Sequence, residues 1–191
     1  MAPKILRVGI LAGAGLLLAA LGIVLAVTHK RDRLSDSNIA TANWVSAHGV
    51  ATRDDYIRTA RLQDSAGNGN PLTEEDVDWL LAFANDPHYQ GTSLSERRMY
   101  ASGPLIFAGL KRLPATRRER VYDFALSLTR DSGSDDVSQG NRMAGCRILG
   151  HLKDKRAIPE LQALRQSGDK DTVRFAENAL DALGIEIPPH D

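Results

Sequence analysis

The chain carries one cysteine, Cys146, among 191 residues. That excludes an intrachain disulfide and a thiolate metal cluster, and leaves the redox compartment open. Aromatic side chains are scarce at 5%, while Ala and Leu are abundant. This balance suits helices better than a β-sandwich. No long alternating polar and apolar run is present, and no hairpin dipeptide joins β-branched segments, so strands are not expected. The sequence also lacks GxSxG, a P-loop, HExxH, and a GxGxxG ahead of a helix. His48, His88, His151 and His190 have no partner at metal-ligand spacing. Cys146 and His151 stand five apart, on different helix faces, and Cys146 reads as a small buried hydrophobe near the Leu149 row. These absences predict a non-catalytic chain with no cofactor and no metal.

A charge excess is missing as well: 24 basic side chains balance 24 acidic ones. The average hides a split. Lys4, Arg7, Lys30, Arg31 and Arg33 face only Asp32 in residues 1–33, so the remainder is mildly acidic. Such a remainder lacks the electrostatic footprint of a nucleic-acid binder. Arg117, Arg118 and Arg120 cluster locally and read as a solvated helix face.

What is present begins with a long apolar run. Residues 8–27 contain no charged side chain, about the length that crosses a hydrocarbon core of roughly 30 Å. Lys4 and Arg7 precede it, and His29-Lys30-Arg31-Asp32-Arg33 stands after it as a stop. The run exceeds the apolar core of a cleaved signal peptide, so an uncleaved anchor over residues 1–30 is expected, with the bilayer as partner through residues 8–27. This implies a single-pass protein of a cell membrane, of the bacterial inner-membrane kind. Counting basic flanks leans weakly to a cytoplasmic helical part and leaves its side open. Gly9 and Gly13, four apart, offer a close-approach face for a weak homodimer.

Residues 31–72 read as a polar connector, with short helices expected near Ile39–Val45 and Asp54–Leu62 and a breaker at Ser65–Pro71. Helical periodicity takes over in residues 73–191. Thr73 and Asp76, then Ser93 and Glu96, then Thr116 and Glu119, have the spacing of capping boxes. The stripes are Val77, Leu80, Leu81, Ala84, and later Val121, Phe124, Ala125, Leu128. Gly103-Pro104 predicts a kink or two abutting helices. Asp131–Asp136 superficially resembles a calcium loop, but the EF-hand order is absent and it reads as a solvated acidic turn. The next helix is expected over Arg142–Leu152. Asp154 is placed to cap the turn after that helix, Pro159 to open a helix, Asp171 to cap the last one, and Gly184 to end it.

Two copies of one helical phrase organise this region. Shifting Ile148-Leu149-Gly150-His151-Leu152 by 31 residues puts Ile148 on Ala179, Leu149 on Leu180, Leu152 on Leu183 and Gly145 on Ala176. A fixed period of this size signals stacked helix pairs. The stretch Leu152-Lys153-Asp154-Lys155-Arg156-Ala157-Ile158-Pro159-Glu160-Leu161, and after it Asp171-Thr172-Val173-Arg174-Phe175-Ala176, resembles the short HEAT-like repeat of phycobilisome lyases and many bacterial binding proteins. In that family an Asp and an Arg in the inter-helix turn form a ladder, and Asp154 and Arg156 match those positions. Gly145, Ala176 and Ala179 match the places where paired helices approach closely. The resemblance covers Arg142 to Gly184 and fades over Thr73 to Arg130, where Pro104 and the long turn from Pro87 to Thr92 depart from it.

The expected fold is therefore all-α, an α-α superhelix of HEAT-like helix pairs preceded by one N-terminal transmembrane helix. The resemblance implies a scaffold for an unidentified protein partner, through a surface carrying Arg147, His151, Lys153, Gln162 and Arg165. Its lyase members imply the alternative of an accessory enzyme subunit holding a small molecule or chromophore, with a deep pocket near His151 or Cys146.

Overall fold

A computed structural model of the chain describes residues 53–89 and 93–187. The apolar run 8–27, the Gly9 and Gly13 pair, the helix expected near Ile39–Val45, His48 and His190 lie outside the described residues. Among the described residues no helix is long and apolar enough to cross a membrane.

The described residues are all-helical, with seven α-helices and no strand. In chain order they are α1 (Arg53–Gly67), α2 (Glu74–Asn85), α3 (Leu94–Phe107), α4 (Ala115–Thr129), α5 (Asp136–Leu152), α6 (Ile158–Leu164) and α7 (Lys170–Ala182). Short 3-10 turns at Leu110–Arg112 and Lys155–Ala157 precede α4 and α6. The helices form two layers. The odd-numbered helices touch in succession, α1 on α3, α3 on α5 and α5 on α7. The even-numbered ones do the same, α2 on α4 and α4 on α6. The layers join through α2 with α3, α4 with α5, and α6 with α7.

Burial between the layers tracks the apolar stripes. Val77, Leu80, Leu81 and Ala84 of α2, Val121, Phe124, Ala125 and Leu128 of α4, and Ile148 and Leu149 of α5 are all buried. Each fully enclosed aliphatic side chain contributes about 1.5–3 kcal/mol. Small residues set how closely the helices approach. A Cβ on Gly145 would meet the Ala125 carbonyl at 2.8 Å, and one on Gly150 would meet the Ala179 Cα at 3.1 Å. Gly145 thus sits in the α4–α5 crossing and Gly150 in the α5–α7 crossing.

The capping boxes at Thr73/Asp76 and Ser93/Glu96 form as expected, with each side chain bonding the other's backbone N–H. Gly184 ends the last helix at φ +76, and the Ile185 N–H donates back to the Leu180 carbonyl at 3.0 Å.

Several expected boundaries differ. Thr116 is not an N-cap: α4 starts at Ala115, and Pro114 occupies the cap position with no side-chain bond. The fixed φ of Pro114 sets up the first turn, and its carbonyl accepts from Arg117 and Arg118 N–H at 3.0 Å. Asp169, not Asp171, caps α7, because Gln139 and Arg142 of α5 draw the Asp169 carboxylate into place, at 2.7 Å and 3.7 Å. Helix α5 starts at Asp136 rather than Arg142, since Asp135 accepts the Ser138 N–H at 2.8 Å and caps it. Gly103-Pro104 does not split α3, which runs through both. Pro104 is buried, and Gln63 of α1 packs so closely over Gly103 that a Cβ there would fall 2.5 Å from its Oε1. Helix α1 is longer than expected at its C-terminal end, running to Gly67, with Ala66 buried in the core, and it docks on α3 through an edge-to-face contact of Tyr56 with Tyr100 at 5.5 Å.

Candidate functional site

Helix α2 also carries an aromatic pair, partly exposed Trp79 and buried Phe83, beside its apolar stripe. Trp79 and Phe83 are four apart, so they stack one above the other on the helix face. Their rings lie 5.3 Å apart and are nearly parallel, at 3°. Beyond the helix end, Tyr89 meets Phe83 edge-to-face at 5.3 Å. From α1, the Arg58 guanidinium lies 4.1 Å over the Trp79 ring, and Asp55 accepts the Tyr89 hydroxyl at 2.6 Å. Trp79, Phe83, Tyr89 and Asp55 wall a groove of about 520 Å3, with Ala82, Asn85, Asp86 and Pro87 completing it.

A buried arginine holds the loop side of this groove. Arg97 is 4% exposed and sits on α3. Its Nη2 donates to the Asp86 carbonyl at 2.8 Å and its Nη1 to the Tyr89 carbonyl at 3.4 Å, while the guanidinium lies 5.2 Å from the Tyr89 ring. The loop bearing Pro87 and Tyr89 is therefore tied to a neighbouring helix. An aromatic wall with a fixed loop and a stacked arginine is suited to holding an apolar anchor of a partner.

The five residues expected to form one partner surface are divided. Arg147 and His151 come together, lining a groove of about 260 Å3 with Gly150, Phe175, Asn178, Ala179 and Ala182. Arg147 stands 5.5 Å over the Phe107 ring. Burial, with Arg147 and Lys111 nearby, holds the His151 imidazole below its ordinary value. Lys153 ends α5 in the left-handed region at φ 54 and lines a different groove of about 320 Å3. Arg165 pairs with Glu177 at 3.1 Å beside the start of α7, in a third place. Gln162 is exposed on α6.

The groove at Lys153 contains the turn in which the resemblance implied a ladder. Arg156 bonds both oxygens of Glu119 on α4, at 2.9 and 2.7 Å, and both oxygens of Asp154 in its own turn. Its guanidinium also covers the Tyr122 ring at 4.5 Å. This rung links one helix pair to the next.

The remaining singled-out groups act within the fold. Cys146 is fully buried on α5, and burial pushes its thiol up to about 12, which leaves no thiolate for chemistry. The acidic turn is organised by Asp131, which accepts from Ser95 Oγ, from Asn141 Nδ2 at 2.8 Å and from the Gly133 N–H at 3.2 Å. Arg142 closes this turn, donating to the carbonyls of Asp131 and Gly133 at 2.8 Å each. Among the described residues no group of His, Cys, Asp and Glu is arranged to hold a metal. His88 is exposed and donates its backbone N–H to Asp86 Oδ1 at 2.8 Å.

Trp79, Phe83, Tyr89 and Arg58 were not among the residues expected from sequence. The available signal was an aromatic pair at i,i+4 lying off the Val77–Leu80–Leu81–Ala84 stripe, in a chain with few aromatics. No protein-family model, no curated protein and no solved structure matches the chain.

Proposed function

We propose that the chain is a membrane-anchored, non-catalytic docking module: a HEAT-like helix-pair solenoid that takes a protein partner in the groove walled by Trp79, Phe83 and Tyr89. That groove carries the reading. Trp, Tyr and Arg are the side chains that dominate binding energy at interfaces, and here they converge at one end of the α1–α2 pair. The solenoid part rests on the two successive helix layers, on the close approaches at Gly145 and Gly150, and on the Arg156 rung between adjacent pairs. The anchor part rests on the apolar run 8–27 and its basic flanks. The lyase-like alternative needs a deep pocket at His151 or Cys146; Cys146 is enclosed in the core, and the groove beside His151 is lined by no carboxylate that could pair with the imidazole.

Photo-crosslinking in intact membranes tests this. A photoreactive phenylalanine analogue replaces Ala82, which is exposed in the groove wall, and in a second protein replaces Gln162 on α6. A discrete adduct is expected from position 82 and not from position 162, and Trp79→Ala should abolish it while the thermal transition is retained. An adduct indifferent to Trp79→Ala, or no adduct from position 82, would overturn the reading.

A further inference from the structure

A second face of the molecule carries exposed aromatic surface beside cations, two of which have no carboxylate partner among the described residues. Phe107, at the end of α3, is 46% exposed. Arg147 of α5 stands over it at 5.5 Å. Lys111, in the 3-10 turn after α3, is close enough to His151 that it and Arg147 both bear on the imidazole. The groove between α5 and α7 continues this face through Phe175, and Arg174 lies 5.3 Å over that ring. Arg174 is paired with Asp171 at 2.9 Å, while neither Arg147 nor Lys111 has a carboxylate partner among the described residues. In a chain whose part beyond residue 33 is mildly acidic, this is a local reversal of sign.

We propose that the face formed by Phe107, Lys111, Arg147, His151 and Phe175 lies against the anionic headgroups of the bilayer that holds the chain. The inference rests on the anchor reading of residues 8–27, and is independent of the groove at Trp79. A single exposed aromatic flanked by cations is the composition of an interfacial contact: the ring enters the headgroup boundary while the cations meet phosphates. Each cation near an anionic surface strengthens attachment about fivefold. That is weak for a free protein, but residues 28–52, with a contour of at most roughly 90 Å, confine the helical layers to the membrane. Under that tether the effective concentration is on the order of millimolar, and a weak face is occupied. An acidic peptide would satisfy the same cations, yet the tether places lipid before them continuously.

The test uses the full chain reconstituted in nanodiscs of phosphatidylcholine alone or mixed with phosphatidylglycerol. An environment-sensitive NBD fluorophore is attached through Asn178→Cys, an exposed position on this face, with the enclosed Cys146 left unlabelled. Docking predicts a blue-shifted, enhanced emission in the anionic discs only. Arg147→Glu and Lys111→Glu should each lower the docked fraction at least fivefold in its equilibrium constant, and Phe107→Ser should lower it with the fold intact by circular dichroism. Solvent-exposed emission in both discs overturns the proposal, and so does equal burial in both, which removes any role for the cations. A blue shift that appears with rising protein concentration in neutral micelles assigns the face to a second copy, and one that appears only on adding a poly-glutamate peptide assigns it to acidic protein; either result overturns lipid docking. If the chain fails to comigrate with discs at all, the anchor reading is lost, and the labelled chain mixed with phosphatidylglycerol vesicles then decides the face by itself.

Discussion

Gly145 of α5 lies directly against Thr129 of α4: a Cβ on Gly145 would stand 2.8 Å from Thr129 Cγ2 and 2.9 Å from its backbone nitrogen. Backbone does not yield as a flexible side chain does, so the crossing of α4 and α5 depends on the missing methyl. Gly145→Ala is therefore expected to destabilise by about 1–3 kcal/mol, although alanine is the better helix former by roughly 0.5–1 kcal/mol. Gly140, earlier in the same helix, is the control. Its nearest neighbour would be Met99 Sδ at 3.7 Å, an ordinary contact. Gly140→Ala should stabilise by about 0.5–1 kcal/mol. Denaturant midpoints of the two variants should move in opposite directions, and movement in the same direction refutes the close crossing.

Asp131 governs acid sensitivity at the joint of α3, α4 and α5. Burial alone would raise its carboxyl, but bonds from Ser95, Asn141, Gly133 and Ser138 outweigh it and hold the group at about 2. A depressed carboxylate contributes stability that is fully present above the ordinary value near 4 and is lost as pH falls towards 2. Water reaches this partly exposed group, so the contribution at neutral pH is about 1 kcal/mol, less than the shift taken at face value. Asn141→Ala removes a fully buried amide that donates to Asp131 and to Ser95. It should cost about 2–3 kcal/mol and move the acid-unfolding midpoint upward, read by circular dichroism between pH 5 and pH 2.

Local chemistry was legible where the deciding atoms lie within one turn. Thr73 with Asp76, Ser93 with Glu96, and Gly184 needed nothing from the rest of the chain. Thr116 failed because Pro114, two residues earlier, starts the helix by its backbone alone. Asp171 failed because the competing Asp169 is selected by Gln139 and Arg142, 30 and 27 positions away, which no local pattern reports. The pairing of Arg156 with Glu119 spans 37 positions, beyond the reach of any local pattern. The aromatic groove was hidden for a different reason. Reading α2 for a single apolar stripe leaves Trp79 as an unexplained neighbour, and only the return of Tyr89 and the approach of Arg58 turn it into a wall.

Trp79 separates binding from folding. It stacks on Phe83 and carries Arg58, yet it is only partly buried. Trp79→Ala should cost at least about 2 kcal/mol of partner affinity, the usual cost for an interface anchor, against a loss of stability of about 1–2 kcal/mol. Trp79→Phe should restore much of the adduct yield from position 82. A variant that loses stability and crosslinking in strict proportion would show that Trp79 serves the fold alone.

His151 reports on the face that carries Arg147 and Lys111. Its imidazole is held below the ordinary value near 6.5, first by burial and then by the two cations. For this group the neutral form is the one the fold favours. Its contribution is intact at higher pH and is eroded as pH falls through the ordinary value, because the unfolded chain then binds the proton more readily. Lys111→Ala should raise the His151 titration midpoint towards 6.5, measured by NMR of the imidazole resonances, and His151→Gln should flatten stability against pH between 7 and 5. Anionic lipid reverses the local field. In phosphatidylglycerol discs the midpoint should rise relative to neutral micelles, and in phosphatidylcholine discs it should stay low. A midpoint unmoved by both Lys111→Ala and Arg147→Ala would leave burial as the only cause and would detach His151 from the cationic face.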